Sequence, residues 1–229
     1  MSIDLPAHVA VIVLGDLGRS PRMQYHCLSL ARAGATVSFI GFDEEKCTGE
    51  LERSDRIVKY GLSTPFNGCP RRLFLLWAPF KVLWQVLQLL WVLLFVIAAP
   101  SAVLVQNPPS IPTMLVAFIA SRMRGARFVI DWHNFGYTIL AQTAGGGNPN
   151  HPLVQAARVY ERVLGQTADG GLCVTRAMQG WLRDEWGVPA RVLHDKPPSF
   201  FRPLDVSEAH SLFLRLSKEG VLPEAAFGT

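Results

Sequence analysis

Four short stretches of this 229-residue sequence combine residue types that bind anions or move protons. Gly15-Asp16-Leu17-Gly18-Arg19-Ser20-Pro21-Arg22 follows an apolar run and opens a helical pattern. The unpaired N–H groups at a helix start favour an anion, and Arg19 and Arg22 add charge-assisted donors. His26 falls one helical turn beyond Arg22 on the same face. Asp131-Trp132-His133-Asn134 closes another apolar run, where a carboxylate and an imidazole can share a hydroxyl proton. Gln106-Asn107-Pro108-Pro109 is a stiff turn whose amides can bond a sugar hydroxyl, and Asp195-Lys196-Pro197-Pro198 supplies a further cation. Each stretch has a plainer reading: glycines allowing a tight turn, Asp131 capping a turn, His133 packed on aromatic rings, prolines ending a strand. The first loop lacks the GxGxxG spacing, and Asp43 is loosely placed for a ribose acid, which disfavours a nucleotide-cofactor oxidoreductase.

Bringing these stretches together requires alternating strands and helices. Strands are expected at His8–Leu14, Thr36–Ile40, Arg56–Tyr60, Ala102–Gln106, Arg127–Asp131, Gly171–Val174 and Ala190–Leu193. Helices are expected from Pro21 to Ala33 with Ser20 as N-cap, near Ile111–Arg124, over Pro152–Leu164 closed by Gly165, and from Thr175 to Trp186. A Gly/Asn-rich loop is expected after Asp131. The alternation predicts a Rossmann-like α/β fold, a parallel sheet with helices on both faces. A strand order of 3-2-1-4-5 sets Gly15–Arg22, Gln106–Pro109 and Asp131–Asn134 beside one crevice at the topological switch point.

The formal charge of +4 is unevenly spread. Arg56 to Ile130 contains no Asp or Glu but eight basic residues, against 14 basic and 18 acidic residues elsewhere. With 49% hydrophobic and 17% charged residues, a disordered chain is excluded. The acid-free middle holds an apolar segment at about 73–99, interrupted by Pro79, Lys81, Gln85 and Gln88. It is long enough to span a bilayer, yet spanning would separate strands three and four, so an interfacial helix is expected. Trp77, Lys81, Trp84, Leu87, Leu90, Trp91 and Leu94 are its expected membrane contacts, and Arg71 and Arg72 add attraction to anionic headgroups. The four cysteines form no CxxC pair and the N-terminus has no signal-peptide pattern, so neither metal nor redox dithiol is expected.

The residues at 15–26, with Gln106-Asn107-Pro108-Pro109, Asp131-Trp132-His133-Asn134, Asn150-His151-Pro152-Leu153, Cys173-Val174-Thr175 and Asp195-Lys196-Pro197, closely resemble the chitobiosyldiphosphodolichol β-mannosyltransferase family. The match runs from about His8 to Leu216 with the motifs in order. The resemblance implies the N-terminal half of a GT-B glycosyltransferase on the cytosolic face of the endoplasmic reticulum membrane, acting in protein N-glycosylation. It implies inverting transfer of mannose, in a β-1,4 linkage, from GDP-mannose to chitobiosyl-pyrophosphate-dolichol. GDP-mannose is the donor substrate; no cofactor, metal or nucleic acid is expected. Other lipid-linked-oligosaccharide glycosyltransferases are a further partner class.

For such a reaction Asp16 and His133 are candidates for the general base, with Asp131 orienting the imidazole; the sequence does not choose between them. Gly15, Gly18, Arg19, Arg22, His26, Asn107, Asn134 and Lys196 are the candidate acceptor and pyrophosphate contacts. The expected layout is an acceptor domain over 1–204, with the start of an interdomain helix and a tail over 205–229. Family members are longer, with an N-terminal anchor and a donor domain beginning near Thr229. A half-enzyme is therefore expected, with a catalytically silent, membrane-bound acceptor module as the alternative. His194 replaces a usual Tyr at the rim.

Overall fold

The computed structural model describes residues 8–63, 74–143, 146–197 and 201–221. Two compact units divide between His194 and Asp195. The first is built on seven strands: β1 (His8–Asp16), β2 (Thr36–Phe42), β3 (Ile57–Gly61), β4 (Ala102–Asn107), β5 (Arg127–Trp132), β6 (Gly170–Cys173) and β7 (Arg191–Val192). All neighbours pair in parallel, in the order β3-β2-β1-β4-β5-β6-β7. The expected Rossmann-like sheet is present, and β6 and β7 extend it beyond β5.

The unbroken apolar run of β1 follows from its central place, since a parallel strand buried on both faces needs no polar alternation. Ala10, Ile12 and Leu14 pack on one face with Leu89, Leu93, Val105 and Trp132. Val9, Val11 and Val13 pack on the other with Met23, Cys27, Leu28 and Phe39. The covering helices are α1 (Pro21–Arg32), α2 (Gly49–Glu52), α3 (Phe74–Trp91), α4 (Thr113–Arg124), α5 (Gly136–Thr143), α6 (Pro152–Gln166) and α7 (Arg176–Trp186).

Three local expectations are corrected. Ser20 precedes α1 without capping it, because its hydroxyl donates to the Asp16 carbonyl at 2.8 Å. Gly165 lies inside α6 rather than ending it. A Cβ there would stand 3.0 Å from the Trp132 ring and 3.2 Å from Val188, so close packing explains the glycine. The segment after β5 contains a helix, α5, where a loop was expected.

Helix α3 runs on into a π-helical turn at Val92–Val96, and Arg124 fixes that end by donating to the carbonyls of Leu94 and Ile97. Among the described residues, Pro79–Val96 is long and apolar enough to cross a membrane, yet it joins β3 and β4 of a single sheet. Leu89 and Leu93 are buried, and Leu90 and Leu94 are half-buried against the same core. The outward stripe therefore runs through Phe80, Leu83, Trp84, Leu87, Trp91 and Phe95. This redraws the expected contact face: Trp84, Leu87 and Trp91 are on it, while Leu90 and Leu94 turn towards the core. Arg71 and Arg72 lie outside the described residues, as does the side chain of Trp77.

The second unit carries α8 (Val206–Lys218), in the stretch expected to begin an interdomain helix. Asp205 accepts from the Glu208 N–H at 2.8 Å while Glu208 reaches back to the Asp205 N–H, a reciprocal cap. Residues 222–229 of the expected tail lie outside the described residues.

Candidate functional site

The first loop is fastened from within. Asp16 Oδ1 accepts the backbone N–H groups of Glu44 and Glu45, both at 3.1 Å. Burial raises the Asp16 pKa, but N–H donors from Glu45, Glu44 and Gly18 outweigh it and hold the carboxyl below its usual range. Gly18 is required by this closure, since a Cβ would lie 2.5 Å from the Glu45 carbonyl oxygen. Gly15 has ordinary space around it. Buried Gln24, which the sequence reading passed over, donates to the Leu17 and Gly18 carbonyls and accepts from the Thr48 N–H. Its signal was a polar residue on the buried face of α1, between Met23 and Cys27. Arg19 is 70% exposed and pairs with Glu45 at 2.9 Å and Asp16 at 3.5 Å.

Arg22 behaves differently. It donates to both oxygens of Asp131, Nε to Oδ2 at 2.7 Å and Nη2 to Oδ1 at 2.8 Å, and to the Leu193 carbonyl at 2.9 Å. His26 Nε2 stands 3.0 Å from the same Oδ2. Asp131 is wholly buried at the end of β5. Burial pushes its pKa up, but the bonds from Arg22 and His26 win and hold it at about 2. The imidazole paired with Asp131 is therefore that of His26, and Arg22 is committed to the carboxylate.

Behind the next two loops lies a second buried carboxylate. Glu161, on α6, accepts from Ser110 Oγ at 3.0 Å, Asn107 Nδ2 at 3.4 Å, and the N–H groups of Gly136 at 3.2 Å and Tyr137 at 2.8 Å. It was not singled out from the sequence. The signal was available: Val154, Ala157, Glu161 and Leu164 share one buried stripe of α6. Burial raises its pKa above the usual carboxylate range, and the four donors, all neutral, only reduce the rise.

Asn107 is fully buried and acts on the loop rather than at its surface. Its carbonyl accepts from the N–H groups of His133 at 2.9 Å and Asn134 at 3.2 Å, and its Nδ2 donates to the Asn134 carbonyl at 3.2 Å. His133 and Asn134 are exposed just beyond β5. Beneath them Trp132, Phe135, Tyr137, Trp181 and Trp186 form a connected ring cluster, with Phe135 and Trp181 centroids 4.5 Å apart. Lys196 belongs to the second unit. Among the described residues no group of three His, Cys, Asp or Glu side chains is placed to hold a metal ion.

Residues 18–197 match the glycosyl transferase 4-like domain family. Over 212 residues the chain is 45% identical to the UDP-glycosyltransferase TURAN of Arabidopsis thaliana, covering 91% of this chain and 45% of that protein. It is 42% identical over 211 residues to the chitobiosyldiphosphodolichol β-mannosyltransferase of Homo sapiens, covering 91% of this chain and 44% of the relative. The namesake from Dictyostelium discoideum is 39% identical over 210 residues, covering 86% of this chain and 42% of its own length. The chain thus spans about half the length of the curated relatives it matches. Among solved structures, Arabidopsis thaliana UGT89C1 complexed with UDP-L-rhamnose superposes with a TM-score of 0.58 at 9% identity, over 94% of this chain and 55% of that one. That likeness concerns the fold.

Proposed function

The chain belongs to the glycosyl transferase 4-like family, and we propose that it forms the acceptor-binding half of an inverting β-mannosyltransferase. The donor is GDP-mannose and the acceptor is chitobiosyl-pyrophosphate-dolichol. What carries this reading is agreement along most of the chain with relatives named for that acceptor and that sugar. In this reading the donor nucleotide sugar belongs to the part of the relatives that this chain does not span.

Inversion by a single displacement needs one base and no covalent intermediate. The acceptor hydroxyl gives its proton to the base while its oxygen bonds C1 of mannose. The bond from C1 to the phosphate oxygen breaks, and GDP leaves. His133 is the preferred base, because its side chain is exposed just beyond β5, whereas that of Asp16 is only 8% exposed. Exposed Arg19 supplies charge for the acceptor pyrophosphate, and its surface pairs are of the weak kind that a phosphate displaces.

A lipid-linked acceptor calls for a membrane-apposed surface. The outward stripe of α3 offers it, and a second stripe on α4 (Leu115, Ile119 and Met123) adds exposed apolar area. The absence of acidic residues between Arg56 and Ile130 suits anionic headgroups. The membrane is assigned as that of the endoplasmic reticulum, approached from the cytosol.

The test has two arms. A short-chain chitobiosyl-pyrophosphate lipid is titrated into this chain; saturable binding is expected, and lack of binding overturns the acceptor assignment. Flotation with vesicles containing anionic phospholipid is then compared for the parent and for Leu87→Glu/Trp91→Glu. The parent is expected to float and the variant to remain below. Equal flotation of both overturns the α3 surface.

A further inference from the structure

Two segments at the carboxyl ends of neighbouring strands, Asn107–Ser110 at the end of β4 and His133–Tyr137 after β5, meet the same buried side chain. Glu161 Oε1 accepts from Ser110 Oγ and the Tyr137 N–H, while Oε2 accepts from Asn107 Nδ2 and the Gly136 N–H. Each carboxylate oxygen thus takes one donor from each segment. Asn107 in turn carries His133 and Asn134 on its carbonyl and side chain. The junction has no slack: a Cβ on Gly136 would lie 2.6 Å from Glu161 Oε1 and 2.8 Å from Ser110 Oγ. A core of this kind is ordinarily filled by an apolar residue, and Glu161 occupies a position between Ala157 and Leu164 on the buried stripe of its helix. An ionisable group kept there needs a task that a Leu cannot perform.

We infer that Glu161 is a positioning residue for the acceptor site: by binding both segments it holds His133 and Asn134 in place just beyond β5. This rests on the acceptor reading above. The α6 helix supplies a fixed base, the carboxylate clamps the two segments in register, and the exposed side chains inherit that register through Asn107. Glu161 itself touches no substrate.

Glu161→Gln tests the clamp with nearly unchanged volume. Whichever oxygen becomes NH2, it faces a backbone N–H, of Tyr137 or of Gly136, so at least one donor loses its acceptor. Hydrogen exchange of individual amides is read in parent and variant, together with affinity for the short-chain chitobiosyl-pyrophosphate lipid. The amides of residues 133–137 are expected to exchange about tenfold faster while those of β1 and β2 stay unchanged, with affinity reduced about tenfold. Ser110→Ala, which removes one side-chain donor and adds no clash, is expected to move the same amides by a smaller factor, and it decides the matter if the first variant fails to fold. Unchanged exchange at 133–137, or an equal rise in β1 and β2, overturns the inference. So does faster loop exchange with undiminished affinity. If the parent protein does not bind the lipid, it is the acceptor reading that fails, and the exchange data still decide whether Glu161 holds the loops.

Discussion

Asp131 and Glu161 are both wholly buried carboxylates, yet their acidities move in opposite directions. Burial raises both. Asp131 meets a guanidinium in bidentate geometry and an imidazole, and these reverse the effect. Glu161 meets two backbone N–H groups, a hydroxyl and an amide, all neutral, and these do not. Formal charge close by outweighs desolvation; dipoles alone only reduce it. One carboxylate anchors α1 to β5 by charge, the other clamps two loops by hydrogen bonding.

The largest effect is expected from breaking the charged pair. Arg22→Ala leaves Asp131 ionised and buried beside the imidazole alone, and is expected to lower stability by about 3–5 kcal/mol in denaturant unfolding. If the loss is below about 1 kcal/mol, in the range of an exposed ion pair, the contrast with surface pairs disappears.

The acid limb of stability sharpens the comparison further. The folded pKa of Asp131 is about 2 against an ordinary value of 3.8. Its contribution is therefore present above pH 3.8 and lost as pH falls through about 2. The difference amounts to about 2 kcal/mol. Unfolding measured across this window is expected to show the loss in the parent and a flatter limb in Asp131→Asn, whatever the variant's starting stability. Equal slopes would remove Asp131 from the account.

Glu161 has the opposite sign and a smaller effect. Its folded pKa lies above the ordinary 4.5, so the folded state holds the proton more tightly and stability declines as pH rises beyond that value. Glu161→Gln is expected to abolish this decline without touching the limb below pH 3.8. A variant that altered both limbs together would show the two carboxylates to be one coupled system.

The fold was legible because its strands are apolar runs separated by helical periods, and that signal depends on local residue types alone. Even the strand order, with β1 beside β4 at the switch point, followed, since order and handedness have few alternatives. The partners of each polar group were not legible. Asp131 and His133 are neighbours in sequence, which invited pairing them, but the pairing of Asp131 with Arg22 and His26 spans separations of 109 and 105 residues. Glu161 was hidden for a different reason. A helix read for its apolar stripe treats a single acid on that stripe as an interruption, whereas here the interruption is a carboxylate that accepts from four donors. Helix α3 shows a third limit, because Leu90 and Leu94 were expected to meet the membrane and only the packed structure shows them turned to the core.

The smallest effect on stability is expected at Arg19, and it separates holding the fold from serving the ligand. Arg19 sits three residues before Arg22, but it is 70% exposed where Arg22 is 10% exposed. Its bonds to Glu45 and Asp16 compete with water at every moment, so Arg19→Ala is expected to leave unfolding unchanged. The same exposure lets the guanidinium turn to a pyrophosphate. Affinity for the chitobiosyl-pyrophosphate lipid is therefore expected to fall about tenfold in this variant, with a weaker dependence on salt. Two arginines three residues apart would then divide the work, the buried one fixing α1 against β5 and the exposed one, in the loop before α1, meeting the acceptor. Undiminished affinity in Arg19→Ala would leave the acceptor pyrophosphate without this cation and move its binding elsewhere on the crevice.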